Sequence, residues 1–235
     1  WGPDALYALG IKTFSTATSF VLLAIPMFIF MGCMLERSGL ANDLYDMMKK
    51  WFGGVNGGLA VGTILVCTIF AALVGVSGAA TVTMGLVALP SMLAANYSKG
   101  ISIGSVAGGG ALGVLIPPSV LMIVLGLYTN TSVGMLFLGG ITAGLVIVVL
   151  FIAYILIICA IRPSIGPALP IEERATWPEK LVALKSVILP IALVIMVLGS
   201  IVGGVATPSE AAGIGALGSI LCALVYGKLT WTAVR

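Results

Sequence analysis

Twenty-nine consecutive residues, Val133 to Ile161, carry no charged side chain. About twenty apolar residues cross the hydrocarbon core of a bilayer as a helix. With no water there to satisfy the backbone, a helix is the form such a run takes. This run exceeds the bilayer thickness, so it reads as a tilted span. Further apolar stretches recur at residues 17–35, 59–74, 79–95, 101–127, 186–204 and 211–227. Only 8% of the chain is charged and 60% is hydrophobic, against roughly 25% charged in a soluble domain. The sequence therefore specifies an all-α, polytopic transmembrane protein. Its slight basic excess is no nucleic-acid signature, and no nucleic-acid partner is expected.

The placement of the basic residues sets sidedness. Threading the spans alternately puts Arg37, Lys49, Lys50, Lys99, Arg162, Arg174, Lys180, Lys185, Lys228 and Arg235 on one face and only Lys12 on the other. By the positive-inside rule the crowded face is cytoplasmic. On that face Leu40, Leu44, Met47, Met48 and Trp51 recur at helical spacing opposite Asn42, Asp43, Asp46, Lys49 and Lys50, which predicts a short amphipathic helix lying on the membrane surface. Residues 162–185, with four prolines, read as a polar loop. Four segments follow: 1–58, a first span with the amphipathic helix; 59–127; 128–185, the long span and loop; and 186–235, the last two spans.

Segment 59–127 is interrupted twice. Gly75-Val76-Ser77-Gly78-Ala79-Ala80-Thr81 joins two apolar arms, and Gly108-Gly109-Gly110 is followed by Leu115-Ile116-Pro117-Pro118-Ser119. Broken backbone at membrane depth is tolerated where it is buried in protein or lines a cavity, and paired breaks point to a solute or ion site. Freed carbonyls and hydroxyls suit a hard cation such as Na⁺, while half-helix N-termini suit a carboxylate. Proline cannot donate and disfavours a helical residue before it, so Ile116 is expected to leave the helix and Ser119 to cap the helix that restarts. The arms 59–74 and 79–95 begin and end on the cytoplasmic side either as a re-entrant hairpin or as two full crossings.

Other chemistry is poorly served. The chain has no histidine, the usual metal ligand and the base of a Ser-His pair. Cys33, Cys67, Cys159 and Cys222 are widely spaced in apolar stretches and read as small buried packing residues. No Asp, Glu, Lys or Arg lies mid-span, so the usual proton relay is missing. No ring-forming channel filter is recognisable. Thr207-Pro208-Ser209-Glu210 reads as a capping box opening the last helix.

Four ordered motifs then carry a resemblance. Ala24-Ile25-Pro26-Met27-Phe28-Ile29-Phe30-Met31-Gly32, the Gly75–Thr81 string, Gly113-Val114-Leu115-Ile116-Pro117-Pro118-Ser119 and Ala206-Thr207-Pro208-Ser209-Glu210-Ala211-Ala212 together resemble the large membrane subunit (DctM) of tripartite ATP-independent periplasmic (TRAP) transporters. The resemblance implies the first inverted repeat of an elevator fold, with a re-entrant hairpin and a broken helix. Segment 59–127 becomes the transport part and the flanking spans scaffold. It implies solute or ion contacts at Ser77, Gly78, Thr81, Gly113, Pro117, Pro118 and Ser119, with Na⁺ at Ser77, Gly78 and Ser119 as coupling ion and no other cofactor. It implies import of an organic acid across a bacterial or archaeal inner membrane, no enzymatic activity, and three partners: a small DctQ-like membrane subunit, a periplasmic solute-binding protein and membrane lipid. A stand-alone Na⁺/dicarboxylate or citrate carrier of similar build is the alternative. With no second copy of the hairpin and broken-helix pattern, and Trp1 rather than Met at its start, the chain reads as a piece of a longer protein.

Overall fold

The computed structural model describes residues 3–75 and 77–227, all of whose regular elements are helical. Val76, Lys228 and Arg235, which enter the sequence reading, lie outside the described residues. The helices are α1 (Pro3–Ala17), α2 (Ala24–Arg37), α3 (Leu40–Phe52), α4 (Gly58–Val74), α5 (Ser77–Ala94), α6 (Lys99–Ala111), α7 (Val120–Thr129), α8 (Val133–Ile161), α9 (Trp177–Val202) and α10 (Pro208–Val225). Among the described residues, four helical stretches are long and apolar enough to cross a membrane unaided: Phe20–Arg37, Ser77–Ala94, Val133–Ile161 and Pro208–Val225. The chain is a membrane-integral protein.

At the centre stands α4. Fourteen of its residues are buried, among them Leu59, Ile64, Cys67, Phe70 and Leu73. A helix apolar on every side is stable only when neighbours surround it, and α2, α3, α5, α6 and α8 do so. Helix α5 returns antiparallel and presents Ala80, Met84, Ala88 and Met92, spaced four apart, to the interior. Helices α2, α9 and α10 form a second group, in which Gly215 lets Met31 and Val197 close in.

Three turns, after α3, after α5 and after α8, are stapled together. Gly57 N–H donates to Gly166 O (2.8 Å), Ser98 N–H to Ile165 O (2.8 Å) and Leu169 N–H to Gly53 O (2.8 Å), while Ala168 N–H donates to Asn56 Oδ1 (3.0 Å). The Tyr97 hydroxyl accepts from Leu59 N–H at 3.2 Å, and burial pushes its phenol up to about 12. It stays neutral at physiological pH, so this contact does not titrate there.

Four expectations need correction. Helix α3 forms as the periodicity predicts, but Leu40, Leu44, Met47 and Met48 are buried against α4 and α9. The chain's own helices, not lipid, cover its apolar face. The loop after α8 ends at residue 176, where Thr176 and Glu179 form a capping box and Pro178 sits in the first turn; Lys180 and Lys185 are thus helical. The glycine triplet 108–110 lies within continuous helix α6: the chain breaks only after it. Cys33 is exposed, because it sits on the face of α2 turned from α4 and α10.

Candidate functional site

The two interruptions meet. Helix α4 ends at Gly75, whose φ of +66° gives the left-handed cap that glycine adopts without strain. Its N–H closes the helix onto Ala71 O. A Cβ on Gly75 would lie 2.3 Å from the carbonyl oxygen of Pro118, so backbone touches backbone where the hairpin turns. The turn lies beside the body of α2, where a Cβ on Gly32 would stand 2.6 Å from Val74 Cα. Val74 is 3% exposed and Gly75 is buried. The two arms run antiparallel from this turn, and its α4 side, Val74 and Gly75, is buried in protein.

The second break follows α6. A short 3-10 turn, Leu112–Val114, includes the buried Gly113 and tightens the last turn. Leu115 and Ile116 both donate to Leu112 O. The chain then leaves the helix, as proline at 117 requires, and passes through the cis peptide Pro117–Pro118. Ser119 takes the N-cap position of α7 in extended backbone (φ −109°, ψ 125°), yet its side chain caps nothing. Its hydroxyl is fully buried and, among the buried side-chain polar atoms of the described residues, is the one with no hydrogen-bond partner. An unpaired buried hydroxyl costs about 1–3 kcal/mol, so it calls for an explanation, a bound water or ion being one.

The remaining sequence-predicted residues divide. Ser77 opens α5, and its carbonyl accepts the Thr81 hydroxyl at 2.8 Å. Thr81 abuts α6, where a Cβ on Gly110 would stand 1.9 Å from Thr81 Oγ1. Thr81 is thereby satisfied and packed rather than free. Gly78 is exposed, and a Cβ there would meet nothing within 4 Å. Gly75, Pro118 and Ser119 thus form the junction; Ser77 flanks it, and Gly78 points away.

Two features escaped the sequence reading. The second break is seated on α8: a Cβ on Gly140 would lie 2.4 Å from Leu115 O, and one on Gly144 2.8 Å from Ile116 Cγ1. Their four-residue spacing, the small-xxx-small signature of close helix approach, was the available signal. Glu36 is the other. It sits in the last turn of α2 and its carboxylate accepts a hydrogen bond from the Thr83 hydroxyl on α5. Thr81 and Thr83 lie about 200° apart around the helix, so one faces α6 and the other α2. Nothing local in the sequence pairs residues so far apart.

No group of three His, Cys, Asp or Glu suited to a metal occurs among the described residues. The junction offers a hydroxyl, backbone carbonyls and the N-terminal ends of α5 and α7. Neutral oxygen donors suit hard cations rather than transition metals, and helix N-termini attract anions.

Residues 4–235 match the family described as "Tripartite ATP-independent periplasmic transporter, DctM component". The chain is 36% identical over 224 residues to the C4-dicarboxylate TRAP transporter large permease protein DctM of Pseudomonas aeruginosa, covering 95% of this chain and 51% of that protein. It is 36% identical over 204 residues to the ectoine TRAP transporter large permease protein TeaC of Halomonas elongata (87% and 47%). It is 30% identical over 213 residues to the sialic acid TRAP transporter large permease protein SiaM of Vibrio cholerae (90% and 49%). The chain spans about half the length of these relatives, which are transporter permeases rather than enzymes.

Proposed function

Because the chain belongs to the DctM family of TRAP transporter components, we propose that it forms about half of the large permease of a Na⁺-coupled importer of organic acids. In this reading the chain is the first of two inverted repeats, and α4 to α7 belong to a body that moves as an elevator against a scaffold of α2, α9 and α10. A periplasmic binding protein delivers the solute, and a small membrane subunit completes the assembly in a bacterial inner membrane.

The observation that carries the reading is the orphaned Ser119 hydroxyl, buried beside Gly75 and Pro118 where the two breaks touch. A Na⁺ ion held by that hydroxyl and neighbouring carbonyls would satisfy the oxygen and hold the hairpin against the broken helix. The N-terminal ends of α5 and α7 would favour a carboxylate nearby. Two of the relatives are named for carboxylate-bearing solutes, a C4-dicarboxylate and sialic acid, which supports the same solute class here. No Asp or Glu lies at the junction among the described residues, which supports Na⁺ rather than a proton as the coupling species.

Uptake of a radiolabelled C4-dicarboxylate tests this, using the full-length permease, small subunit and binding protein in liposomes. Uptake should require an inward Na⁺ gradient, and Ser119→Ala should raise the Na⁺ concentration for half-maximal rate. Uptake that persists without Na⁺ and follows an imposed proton gradient overturns the proposal.

A further inference from the structure

A groove far from the junction invites a different ligand. Helices α6 and α8 both pack on α4, but touch each other chiefly where Phe151 meets Gly108. Beside that contact they border an open groove of about 560 Å³. Ile64 of α4 forms its floor, Phe151, Ile155 and Ile158 one wall, and α6 the other. Gly100 and Gly104 line the α6 side, and a Cβ at either would meet nothing within 4 Å. No helix among the described residues fills the space they leave.

The groove is mainly apolar, with Ser105 and Tyr154 among its lining, and basic at one end. Arg162, the first residue after α8, stands at its mouth with Ser98. Arg162 is exposed, and its side chain has no ion pair or hydrogen bond among the described residues. This end is the stapled, cytoplasmic one: Ser98 N–H bonds Ile165 O there. An apolar trough ending in an unpaired guanidinium at the membrane–cytoplasm boundary matches one amphiphile in charge and in shape. Basic pockets between transmembrane helices on the cytoplasmic side hold anionic lipid head groups, and a guanidinium binds phosphate through paired donors.

We propose that this groove binds one anionic phospholipid of the cytoplasmic leaflet, its phosphate on Arg162 and Ser98 and one acyl chain against Ile64, Phe151 and Ile158. The site is independent of the Ser119 junction and of the coupling ion.

Native mass spectrometry of the full-length permease tests it, with phosphatidylglycerol or phosphatidylethanolamine titrated into delipidated protein. The wild type should retain one phosphatidylglycerol more firmly than phosphatidylethanolamine. Arg162→Gln should weaken that retention about fivefold, the worth of one basic residue at an anionic surface. Gly104→Leu, whose side chain enters open space, should abolish retention without unfolding the protein. Inorganic phosphate alone should neither bind nor compete. Equal retention by wild type and both variants, as when another part of the protein fills the groove, overturns the proposal. So does equal preference for the two lipids, or displacement by free phosphate.

Discussion

Gly75 and Pro118 are in direct backbone contact, with space for a hydrogen but not a methyl group: a Cβ on Gly75 would stand 2.3 Å from the Pro118 carbonyl oxygen. Neither partner is the movable end of a side chain, so the contact can yield only by shifting a helix end. Gly75→Ala should combine that overlap with a left-handed backbone strain of about 1–2 kcal/mol. Gly78→Ala, three residues on, should change stability by less than about 0.5 kcal/mol. Thermal unfolding of the two variants in detergent checks the contrast; equal melting temperatures would mean the hairpin tip does not sit here.

Ser119 presents stability and binding with opposite signs. Its buried hydroxyl has no partner, so Ser119→Ala removes a desolvation cost of about 1–3 kcal/mol. In Na⁺-free buffer the alanine variant should be at least as stable as wild type. Added Na⁺ should then stabilise wild type more than the variant, by mass action on the folded state. A variant less stable without Na⁺, and equally stabilised by it, would remove the hydroxyl from the site.

Gly110 is packed directly against Thr81. A Cβ would lie 1.9 Å from Thr81 Oγ1 and 2.9 Å from Thr81 Cα. Gly110→Ala should cost about 1–3 kcal/mol as overpacking, although alanine is the better helix former. Thr81→Gly should recover much of the loss in the double variant, since it removes the side chain while leaving α6 unchanged. Unfolding midpoints of the three variants give the coupling directly.

Glu36 and Thr83 join α2 to α5, which fall in different bodies of the proposed elevator. A double-mutant cycle with Glu36→Gln and Thr83→Val should return a coupling of about 0.5–1.5 kcal/mol, reduced by the partial exposure of both groups. If the two bodies slide, this bond breaks on each cycle, and Thr83→Val should alter transport rate more than Na⁺ affinity. A change confined to Na⁺ affinity would assign Thr83 to the ion site instead.

The extent of the sequence's reach can be seen residue by residue. Val133–Ile161 stands as expected, because uncharged length alone specifies a span. The Thr207 capping box forms, with Thr207 N–H on Glu210 Oε2 at 2.8 Å and Glu210 N–H on Thr207 Oγ1 at 3.3 Å, because all its atoms lie within one turn. Pro117 stops the helix through its own ring. Each of these is a local rule, written in a few neighbouring residues.

Tertiary structure decided the rest. The triplet 108–110 looks like a breaker in sequence, yet Gly109 and Gly110 are where α6 meets Cys67 and Thr81; glycine can break a helix or let one approach, and only the neighbour tells which. The apolar face of α3 is the same whether lipid or protein covers it, and α4 and α9 cover it. That Gly75 reaches Pro118, that Gly140 and Gly144 seat the second break, and that Glu36 finds Thr83 all depend on how α4 is surrounded. Sequence determined that apolar helices recur along the chain and that Pro117 ends one of them. The packing of helices around α4 determined which breaks touch, because contacts between residues distant in the chain are set by shape rather than by periodicity.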